Sequence, residues 1–498
     1  MKLGRLINGI DFLEFEGDPD HEIQGLAYDS REVRPGYLFV AVKGHVLDGH
    51  RFFSDALKRG AVALVGESFD VIGKTEAARI RVPNSRKALS LLADRFYSHP
   101  SAKLRLIGIT GTNGKTTTAY LLEAVLSAAG RRTGVIGTIN YRIGAQCWPA
   151  PVTTPESLDL MRLLRRMKDA GATDVIIEVS SHALEQGRIG ECIFEVGVFT
   201  NLTRDHLDYH GTMDAYFEAK SRLFRSLAPA ATAVINLDDP RGKTLWGMTR
   251  AKVLTYGLRE EGEIRSRVLS SDKNGLRIEI RTPAGVTELR SPLLGEVNVY
   301  NIMAAMGAAL ALGVDFETAV RGIESLERVP GRLERVENAL GRLVVVDYAH
   351  TPDALYKAMK TLKPLAEGRL ITVFGCGGDR DRGKRFEMGV AAGENSDLVI
   401  VTSDNPRSED PLSIMEEIEK GVQEAGKQRI EGTGPYSLSG YLMEVDRRKA
   451  IRKAIQVAGE GDLILIAGKG HEDYQIVGGV RKHFDDREEV LLAAGGGT

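Results

Sequence analysis

The sequence predicts an α/β protein of about three domains, and three observations support this prediction. Its 498 residues exceed what one hydrophobic core usually serves, since domains of ~150 residues are typical. Short β-branched segments alternate with longer helix-compatible segments, the pattern of α/β units around mostly parallel sheets. Two breaks between domains are predicted from turn-forming residues. One lies near residues 98–104, which contain Pro and Ser, and the other at Pro330 and Gly331, before a new series of strands. We therefore expect domains at residues 1–102, 103–332 and 333–498.

Composition narrows the class of protein. The 66 basic and 68 acidic residues give a net charge of -2, so no global field favours nucleic acid or an anionic membrane. The three cysteines are far apart and form no CxxC pair, which disfavours a disulfide framework and a cysteine-ligated zinc site. The longest apolar stretch, residues 302–314, is shorter than the ~18 residues of a membrane span. We expect a cytoplasmic protein with no nucleic-acid partner and no membrane span.

Eight short apolar segments are the clearest predicted strands, and all are rich in β-branched residues. They lie at residues 38–42, 61–65, 106–110, 174–179, 343–347, 370–374, 398–402 and 463–468.

The segment LIGITGTNGKTTTAYLLEAVLSAAG, residues 106–130, has the order strand, glycine-containing loop and helix. This is the order of a phosphate-binding loop (P-loop), in which loop and helix N–H groups cradle phosphates. Lys115 would reach the outer phosphates and the Thr116 hydroxyl would ligate Mg²⁺. Ile109 replaces the first glycine of the strict pattern, so the loop is a variant. A plain strand-to-helix turn is the alternative, but all three parts fall where nucleotide binding needs them.

Glu178 ends the next clear strand, where a P-loop enzyme places a carboxylate for Mg²⁺. The alternative is an exposed acid at a strand end. His206 and His210 are four residues apart, but no HExxH context or cysteine supports a zinc pair.

Lys220 lies on the apolar face of a predicted helix at residues 213–227. Lysines are rarely buried without a partner. Either its amine extends to the edge of the apolar face, or a metal or phosphate site holds it.

Residues 402–411, TSDNPRSEDP, follow a predicted strand and place Arg407 directly after Pro406. Nearby acids include Glu409 and Asp410. The segment is either a turn whose charges neutralise one another or a rigid support that directs a guanidinium at a ligand.

Eleven motifs in order resemble the Mur ligases of peptidoglycan synthesis, across essentially the whole chain. They are TGTNGKTTT, TTPES, EVSSHALEQGR, NLTRDHLDYHG, YFEAKSRLF, GEVNVYNIMAA, PGRLE, DYAHTPD, GCGGDRDRGKR, SDNPR and AGKGHEDYQ. The resemblance implies an amino-terminal uridine-nucleotide domain, a central P-loop domain and a carboxy-terminal Rossmann-like domain. It also implies transfer of the ATP γ-phosphate to a carboxylate of a UDP-sugar dipeptide, followed by attack of an amino acid's amine on the acyl phosphate.

The resemblance implies the site residues one by one, with Lys115, Glu178, His206 and Lys220 as the catalytic set. The expected Mg²⁺ ligands are Thr116, Glu178, His206 and a carbamylated Lys220. The expected ATP contacts are Gly111, Thr112, Asn113, Gly114, Lys115, Thr116, Thr117, Asn301, Arg332, Asp347 and His350. The expected UDP-substrate contacts are Ser30, Gly44, His45, Thr153, Thr154, Ser180, Gln186 and Arg188.

The expected amino acid is diaminopimelate, because family members that add it carry DNPR and those that add lysine lack the arginine. A guanidinium suits its second carboxylate, although Glu409 and Asp410 could pair with Arg407 when no substrate is bound. The expected contacts are Arg380, Asp404, Asn405, Pro406, Arg407, Gly468 and Glu472. We also expect a monomer.

Other functions stay open at this point. A lysine-adding relative or a folylpolyglutamate-type ligase shares the P-loop and the three-domain plan. A nucleotide-binding regulatory protein would not need Glu178 and Lys220 together. An NAD site is disfavoured, because Arg380 stands where GxGxxG requires its last glycine.

Overall fold

The computed structural model describes residues 1–44, 47–430 and 439–495. In this part of the chain the strands form sheets of five, eleven and six strands and one two-stranded hairpin. Each large sheet is built from one continuous part of the sequence, as expected for three α/β units. None of the helices in these ranges is long and apolar enough to cross a membrane.

The amino-terminal unit has a five-stranded sheet in the order β1-β5-β4-β3-β2. Its strands are β1 (Glu14–Glu16), β2 (Gly25–Ala27), β3 (Tyr37–Val40), β4 (Ala61–Gly66) and β5 (Ala78–Arg81). Its helices are α1 (Leu3–Ile7), α2 (Phe53–Lys58) and α3 (Ser85–Phe96), with single 3₁₀ turns at Ser30–Glu32, Gly49–Phe52 and Ser101–Lys103.

The central unit has an eleven-stranded sheet in which the P-loop strand β6 lies between β11 and β10. Its strands are β6 (Arg105–Thr110), β7 (Thr133–Ile136), β8 (Asn140–Ile143), β9 (Gln146–Pro149), β10 (Asp174–Glu178), β11 (Phe194–Phe199), β12 (Thr232–Asn236), β13 (Lys252–Gly257), β14 (Ile264–Asp272), β15 (Gly275–Thr282) and β16 (Gly285–Ser291). Its helices are α4 (Lys115–Ala128), α5 (Ser157–Asp169), α6 (Ser181–Glu185), α7 (Leu207–His210), α8 (Met213–Arg225), α9 (Gly242–Trp246), α10 (Val297–Ala311) and α11 (Phe316–Glu324).

The carboxy-terminal unit has a six-stranded sheet in the order β17-β18-β22-β19-β20-β21. Its strands are β17 (Glu334–Arg335), β18 (Leu343–Asp347), β19 (Leu370–Phe374), β20 (Leu398–Thr402), β21 (Gly440–Glu444) and β22 (Leu463–Ala467), followed by the hairpin of β23 (Tyr474–Val477) and β24 (Val480–His483). Its helices are α12 (Pro352–Leu362), α13 (Gly383–Asn395), α14 (Pro411–Glu424), α15 (Arg447–Val457) and α16 (Asp486–Ala493), with a 3₁₀ turn at Lys363–Leu365.

All eight predicted strands are present, with ends that shift by two residues at most. The expectation of mostly parallel sheets is correct for the middle of the central sheet, where β10, β6, β11, β12 and β13 run parallel. Both ends of that sheet instead continue as antiparallel strands, β8 and β9 at one end and β15 and β16 at the other. β9 is mostly exposed, and β15 and β16 interrupt their buried positions with exposed ones, so these strands lack the continuous apolar runs used for the prediction.

The hydrophobic cores show how firmly the units are joined. One core runs from α1 and α3 of the amino-terminal unit into β10, α5 and α8 of the central unit. The carboxy-terminal sheet has its own core on each face, and Leu294 is the central-unit residue that joins one of them. The first two units therefore share one hydrophobic core, whereas the third unit contacts them mainly through polar side chains.

A fully buried ion pair stabilises the carboxy-terminal unit. Arg447, at the start of α15, bonds both carboxylate oxygens of Asp486 at 2.7 and 2.8 Å, and both side chains are fully buried. Arg447 also donates to the carbonyl oxygen of Ala467 at the end of β22. The pair thus ties α15 and α16 to the strand end that leads into the AGKGHEDYQ motif.

We expect Asp486→Ala to lower the free energy of unfolding of the carboxy-terminal unit by about 3–5 kcal/mol, because it leaves a guanidinium buried without its partner. The double variant Arg447→Met with Asp486→Leu should recover most of that loss. Urea titrations followed by circular dichroism measure both. Asp20→Ala, which removes an exposed pair with Lys2, is the control and should change little. Equal losses in the single and double variants would contradict this account.

Candidate active site

The P-loop follows β6 and is held by the segment after β11 and by α10. Gly114 has φ +86°, and a Cβ at this position would lie 2.3 Å from Oδ1 of Asn301, so only glycine fits. The N–H groups of Thr112 and Asn113 donate to the backbone and side-chain oxygens of Asn201, just beyond β11, at 2.8 and 3.0 Å. The loop is therefore preorganised before α4 begins at Lys115.

Two lysine amines meet at one carbonyl oxygen of this loop. Lys115 and Lys220 each donate from Nζ to the oxygen of Gly111 at 2.9 Å, and Lys115 also donates to the oxygen of Thr112 at 2.8 Å. Lys220 is only 2% exposed, so the alternative of an amine that extends to the edge is wrong. Burial, followed by the charge of Lys115, holds the pKa of Lys220 well below its usual value. Burial also lowers the pKa of Lys115.

Glu178 lies beside these amines at the end of β10 and is only 2% exposed, so the alternative of an exposed strand-end acid is also wrong. Its carboxylate accepts hydrogen bonds from the hydroxyls of Thr116 and Thr138, each at 2.9 Å, and from the N–H of Thr138 at 3.0 Å. A Cβ at Gly137 would lie 2.2 Å from Oε1 of Glu178. Glycine at that position gives the carboxylate its space.

This donor set fits a magnesium ion. Mg²⁺ prefers oxygen ligands and usually takes only one or two carboxylates, with phosphate oxygens and water completing its shell. The hydroxyl of Thr116 and the carboxylate of Glu178 supply such oxygens within hydrogen-bond distance of each other. Throughout the described ranges, no group of three or more His, Cys, Asp or Glu side chains is arranged to hold a metal.

His206 lies on the loop before α7 in the left-handed backbone region, with φ +53°. Its ring centre lies 4.9 Å from that of His182. Burial is the main cause that lowers the pKa of both imidazoles, to about 4 for His182. Both rings are therefore neutral near pH 7, the form in which imidazole ligates metals.

A cavity of about 640 Å³ collects most of the predicted nucleotide and metal residues. Its walls come from both the central and the carboxy-terminal units. The predicted residues that line it are Thr112, Asn113, Gly114, Lys115, Thr116, Thr117, Thr153, Glu178, Ser180, His206, Lys220, Asn301, Arg332, Asp347 and His350.

Three predicted residues reach this cavity from the carboxy-terminal side. The guanidinium of Arg332 lies 4.6 Å from the ring centre of Tyr348 and donates to Oγ1 of Thr116 at 3.3 Å. Asp347 ends β18, and burial raises its pKa. Nδ1 of His350 lies 2.8 Å from the carbonyl oxygen of Tyr348, so Nδ1 carries the proton and Nε2 is left as an acceptor.

Asp353, near the start of α12, connects the two units directly at the P-loop. Its Oδ2 accepts hydrogen bonds from Oγ1 of Thr203 at 2.7 Å, Nδ2 of Asn113 at 3.3 Å and Nζ of Lys357 at 2.8 Å. The carboxy-terminal unit therefore bonds both the loop that binds phosphates and the loop that carries His206.

The predicted UDP-substrate residues divide into two groups. Thr154 donates to the carbonyl oxygen of Glu178 at 2.7 Å and accepts from the N–H of Ser180 at 3.0 Å. Arg188 donates to the carbonyl oxygen of Thr154 at 2.9 Å and makes two bonds to Oε1 of Gln186. These residues form one network beside the cavity.

The remaining UDP-substrate predictions fall in the amino-terminal unit. Ser30 is buried at the start of a 3₁₀ turn, and the N–H of Gly44 donates to the oxygen of Leu47. His45 lies outside the described residues.

The predicted amino-acid residues follow three neighbouring strands of the carboxy-terminal sheet. β19 pairs in parallel with both β20 and β22, so the segments after these strands meet at one edge. Arg380 follows β19, Asp404 to Arg407 follow β20, and Gly468 with Glu472 follow β22. The sheet thus brings together side chains that are distant in sequence.

Arg407 is held in an unusual backbone conformation. Its φ is +54°, a region that non-glycine residues seldom occupy. Its N–H donates to the oxygen of Ile476 at 3.0 Å, and its Nη1 donates to the oxygen of Gly378 at 2.7 Å. These bonds hold Arg407 between two other segments, and the ligand of its guanidinium stays a prediction.

Glu409 and Asp410 do not form the pairing with Arg407 that the sequence left open. Glu409 instead makes two bonds to Arg385 at 2.8 and 3.0 Å. Asp410 caps α14 by accepting from the N–H of Ser413 at 3.1 Å. Glu409 is needed to neutralise a buried guanidinium, and Asp410 is needed to cap a helix N-terminus.

Sequence reasoning missed three residues of the site: Thr138, Asp353 and Lys469. Asp353 and Lys469 lie inside the quoted motifs DYAHTPD and AGKGHEDYQ, so the motifs were the available signal. Thr138 lies outside the quoted motifs, and only the fold places it against Glu178.

The fold and the cavity together define a class of protein. A central strand leads into a P-loop, a buried carboxylate and two lysines adjoin it, and a second α/β unit closes over it. This is the arrangement of an enzyme that binds a nucleoside triphosphate and acts on a second substrate brought by another domain.

Comparison with known proteins identifies the family. The Mur ligase family catalytic domain matches residues 22–97, the Mur ligase middle domain matches residues 109–309 and the Mur ligase glutamate ligase domain matches residues 331–470. A relative from Geobacter metallireducens, named UDP-N-acetylmuramoyl-L-alanyl-D-glutamate–2,6-diaminopimelate ligase, is 50% identical and spans 99% of this chain and 98% of its own. A relative of the same name from Geobacter sulfurreducens is 48% identical with the same coverage. The chain belongs to the Mur ligase family.

Solved structures agree with this assignment. A structure of a UDP-N-acetylmuramoyl-L-alanyl-D-glutamate–2,6-diaminopimelate ligase superposes with a TM-score of 0.70 at 37% identity and covers 99% of both chains. MurF from Thermotoga maritima, solved with ADP, has a TM-score of 0.62 at 22% identity and covers 90% of this chain and 94% of its own. The second likeness shows the shared fold alone.

Proposed function

We propose that this protein is an ATP-dependent ligase that joins meso-diaminopimelate to the D-glutamate carboxylate of UDP-N-acetylmuramoyl-L-alanyl-D-glutamate. The observation that carries the proposal is the placement of Arg407 and Glu472 after neighbouring strands of the sheet whose β18 end lines the P-loop cavity. Relatives with this ligase name at 42–50% identity over nearly the full chain support it. The domain limits 1–102, 103–332 and 333–498 and a cytoplasmic location belong to the same proposal, because ATP and UDP-sugars are cytoplasmic substrates.

The first step activates a carboxylate, which is a poor electrophile. The carboxylate oxygen attacks the γ-phosphorus of ATP, the bond to the β-phosphate oxygen breaks, and ADP leaves with that electron pair. Two anions must approach each other, so Lys115 and the loop N–H groups would offset their repulsion. When bound at Thr116 and Glu178, Mg²⁺ would neutralise further phosphate charge.

The second step forms the amide. The amine of diaminopimelate attacks the carbonyl carbon of the acyl phosphate, and the tetrahedral intermediate expels phosphate with its bonding electrons and loses a proton from nitrogen. The carboxy-terminal unit would bring the amine, and the bonds of Asp353 to Asn113 and Thr203 would align that unit with the P-loop. Gln186, Arg188 and Thr154 would hold the UDP-dipeptide on the opposite side.

The two adjacent lysines support carbamylation of Lys220. Two cations on one carbonyl oxygen in a buried site would repel each other, and burial with the charge of Lys115 lowers the pKa of Lys220, which favours its unprotonated amine. An unprotonated amine can react with CO₂ at its nitrogen, which releases a proton and leaves a carbamate. The product would be an anion beside Lys115, and it would be suited to bind a second magnesium ion.

The proposed function predicts the products and the amino acid. Purified protein with the UDP-dipeptide, ATP, Mg²⁺ and diaminopimelate should release phosphate and form the UDP-tripeptide, detected by mass spectrometry. Lysine, which lacks the second carboxylate, should serve much less well. Phosphate release that is independent of the amino acid would contradict the ligase function, and equal use of lysine would contradict the choice of substrate.

We expect Lys220→Ala to lose nearly all turnover, measured as phosphate release, because it removes the amine that carbamylation requires. Added bicarbonate should not restore activity, because alanine has no amine to carbamylate, whereas formate or acetate should restore part by supplying a carboxylate. Lys243→Ala, on an exposed part of α9, is the matched control. Near-normal turnover of Lys220→Ala would assign this lysine to packing alone.

We expect Arg407→Ala to lower kcat/KM for diaminopimelate by about 10- to 100-fold, because charge-assisted hydrogen bonds to a carboxylate are lost. The KM for ATP should change little, since the cavity residues are not altered. Arg452→Ala, on an exposed part of α15, is the control for loss of a surface arginine. An equal loss in the ATP and diaminopimelate constants would show a general structural defect instead.

A further inference from the structure

A buried lysine lies at the junction of the two segments that form the proposed amino-acid site. Lys469 follows β22, and its side chain is fully buried. Its Nζ donates to the carbonyl oxygen of Tyr474 at 2.7 Å and to Oδ1 of Asn405 at 3.1 Å. It also lies 3.2 Å from Oδ1 of Asp404 and 3.9 Å from Oε2 of Glu472. Nothing in the proposed reaction uses this amine directly.

The amine fixes the orientation of one amide. Oδ1 of Asn405 accepts from both Lys469 and the N–H of Ile476, the latter at 3.0 Å. The other end of the amide must then be its NH₂ group, which donates to Oε2 of Glu472 at 2.9 Å. Two donors on one side therefore set the position of the Glu472 carboxylate on the other.

The same junction fixes Arg407. Ile476 accepts from the N–H of Arg407 at 3.0 Å and donates its own N–H to Asn405. Lys469 bonds Asn405 on one segment and Tyr474 on the other. Its amine therefore connects residues 404–407 to residues 474–477. The carboxylate of Glu472 and the backbone of Arg407 are both hydrogen-bonded to these two segments.

Charge gives the lysine a second role. Burial opposes ionisation of Asp404, but the charges of Lys469 and then Arg447 outweigh it and hold the pKa of Asp404 below its usual value. Arg447 is itself paired with Asp486, so Lys469 is the nearer compensating charge. Without it, Asp404 would be a buried anion beside Glu472, and like charges disfavour each other's ionisation.

We propose that Lys469 is a positioning residue of the amino-acid site, which orients Asn405 and neutralises Asp404 so that Glu472 and Arg407 present an anion and a cation at a fixed separation. Such a pair matches the ammonium and carboxylate of one zwitterionic amino-acid end. The inference rests on the proposed function, because it assigns Glu472 and Arg407 to diaminopimelate.

Steady-state kinetics of Lys469→Met in the full-length protein test the inference. Methionine keeps most of the side-chain length and removes the ammonium. The KM for diaminopimelate should rise about tenfold or more, since several charge-assisted hydrogen bonds are lost. The KM values for ATP and the UDP-dipeptide should change less than about twofold, and Lys449→Met, on an exposed part of α15, should behave as wild type.

The double variant Asp404→Asn with Lys469→Met keeps the test valid if the single variant does not fold, because it leaves no buried charge without a partner. Its KM for diaminopimelate should exceed that of the single variant Asp404→Asn, since Asn405 has still lost the Lys469 donor. A wild-type KM for diaminopimelate in either variant, or equal rises in the ATP and diaminopimelate constants, would overturn the inference. Wild-type protein is assayed in parallel. If the proposed function itself is wrong, wild type will not use diaminopimelate, whereas failure of the Lys469 inference leaves wild-type activity intact.

Discussion

The whole central site depends on the placement of two lysine amines at one carbonyl oxygen of the P-loop. Burying one ammonium is costly, and burying two side by side is more so. Gly111 offers its oxygen to both Lys115 and Lys220, and Glu178 adds a nearby anion. The phosphates of a nucleotide, which carry several negative charges, are the natural complement of such a site. The same repulsion favours an unprotonated Lys220, which is the form that carbamylation requires.

Much of this arrangement could be predicted from the sequence, because its parts are local. The order of strand, loop and helix in residues 105–128 is set by neighbouring residues, and the apolar face of α8 placed Lys220 correctly against the core. Burial of the amine itself was not predictable, since helical spacing is equally compatible with an amine that extends to the edge. The distinction depends on Gly111, which is 109 residues away.

The residues that sequence reasoning missed share one physical property: each acts across a boundary between segments. Asp353 is an ordinary first-turn acid of α12 until the central unit brings Asn113 and Thr203 to it. The pairing of Arg407 with Glu409 that the sequence suggested does not form, and the cause is the same. Proximity in sequence suggested that pairing, whereas in the folded chain Glu409 accepts a hydrogen bond from the buried Arg385 of α13. Parallel strands bring together residues that are distant in sequence. The charge pattern of one short segment does not reveal such contacts.

On the proposed function, the carboxy-terminal unit would select a zwitterion with side chains on a fixed sheet edge. A mobile arginine would lose side-chain and backbone freedom on binding, which weakens affinity. Here Pro406 restricts the chain, and a positive φ at Arg407 is maintained by the backbone bond to Ile476. That bond is useful only if residues 474–477 are themselves fixed, and the buried Lys469 fixes them through Tyr474. On the proposed function, selectivity for a second carboxylate would thus depend on an amine that need not touch the substrate.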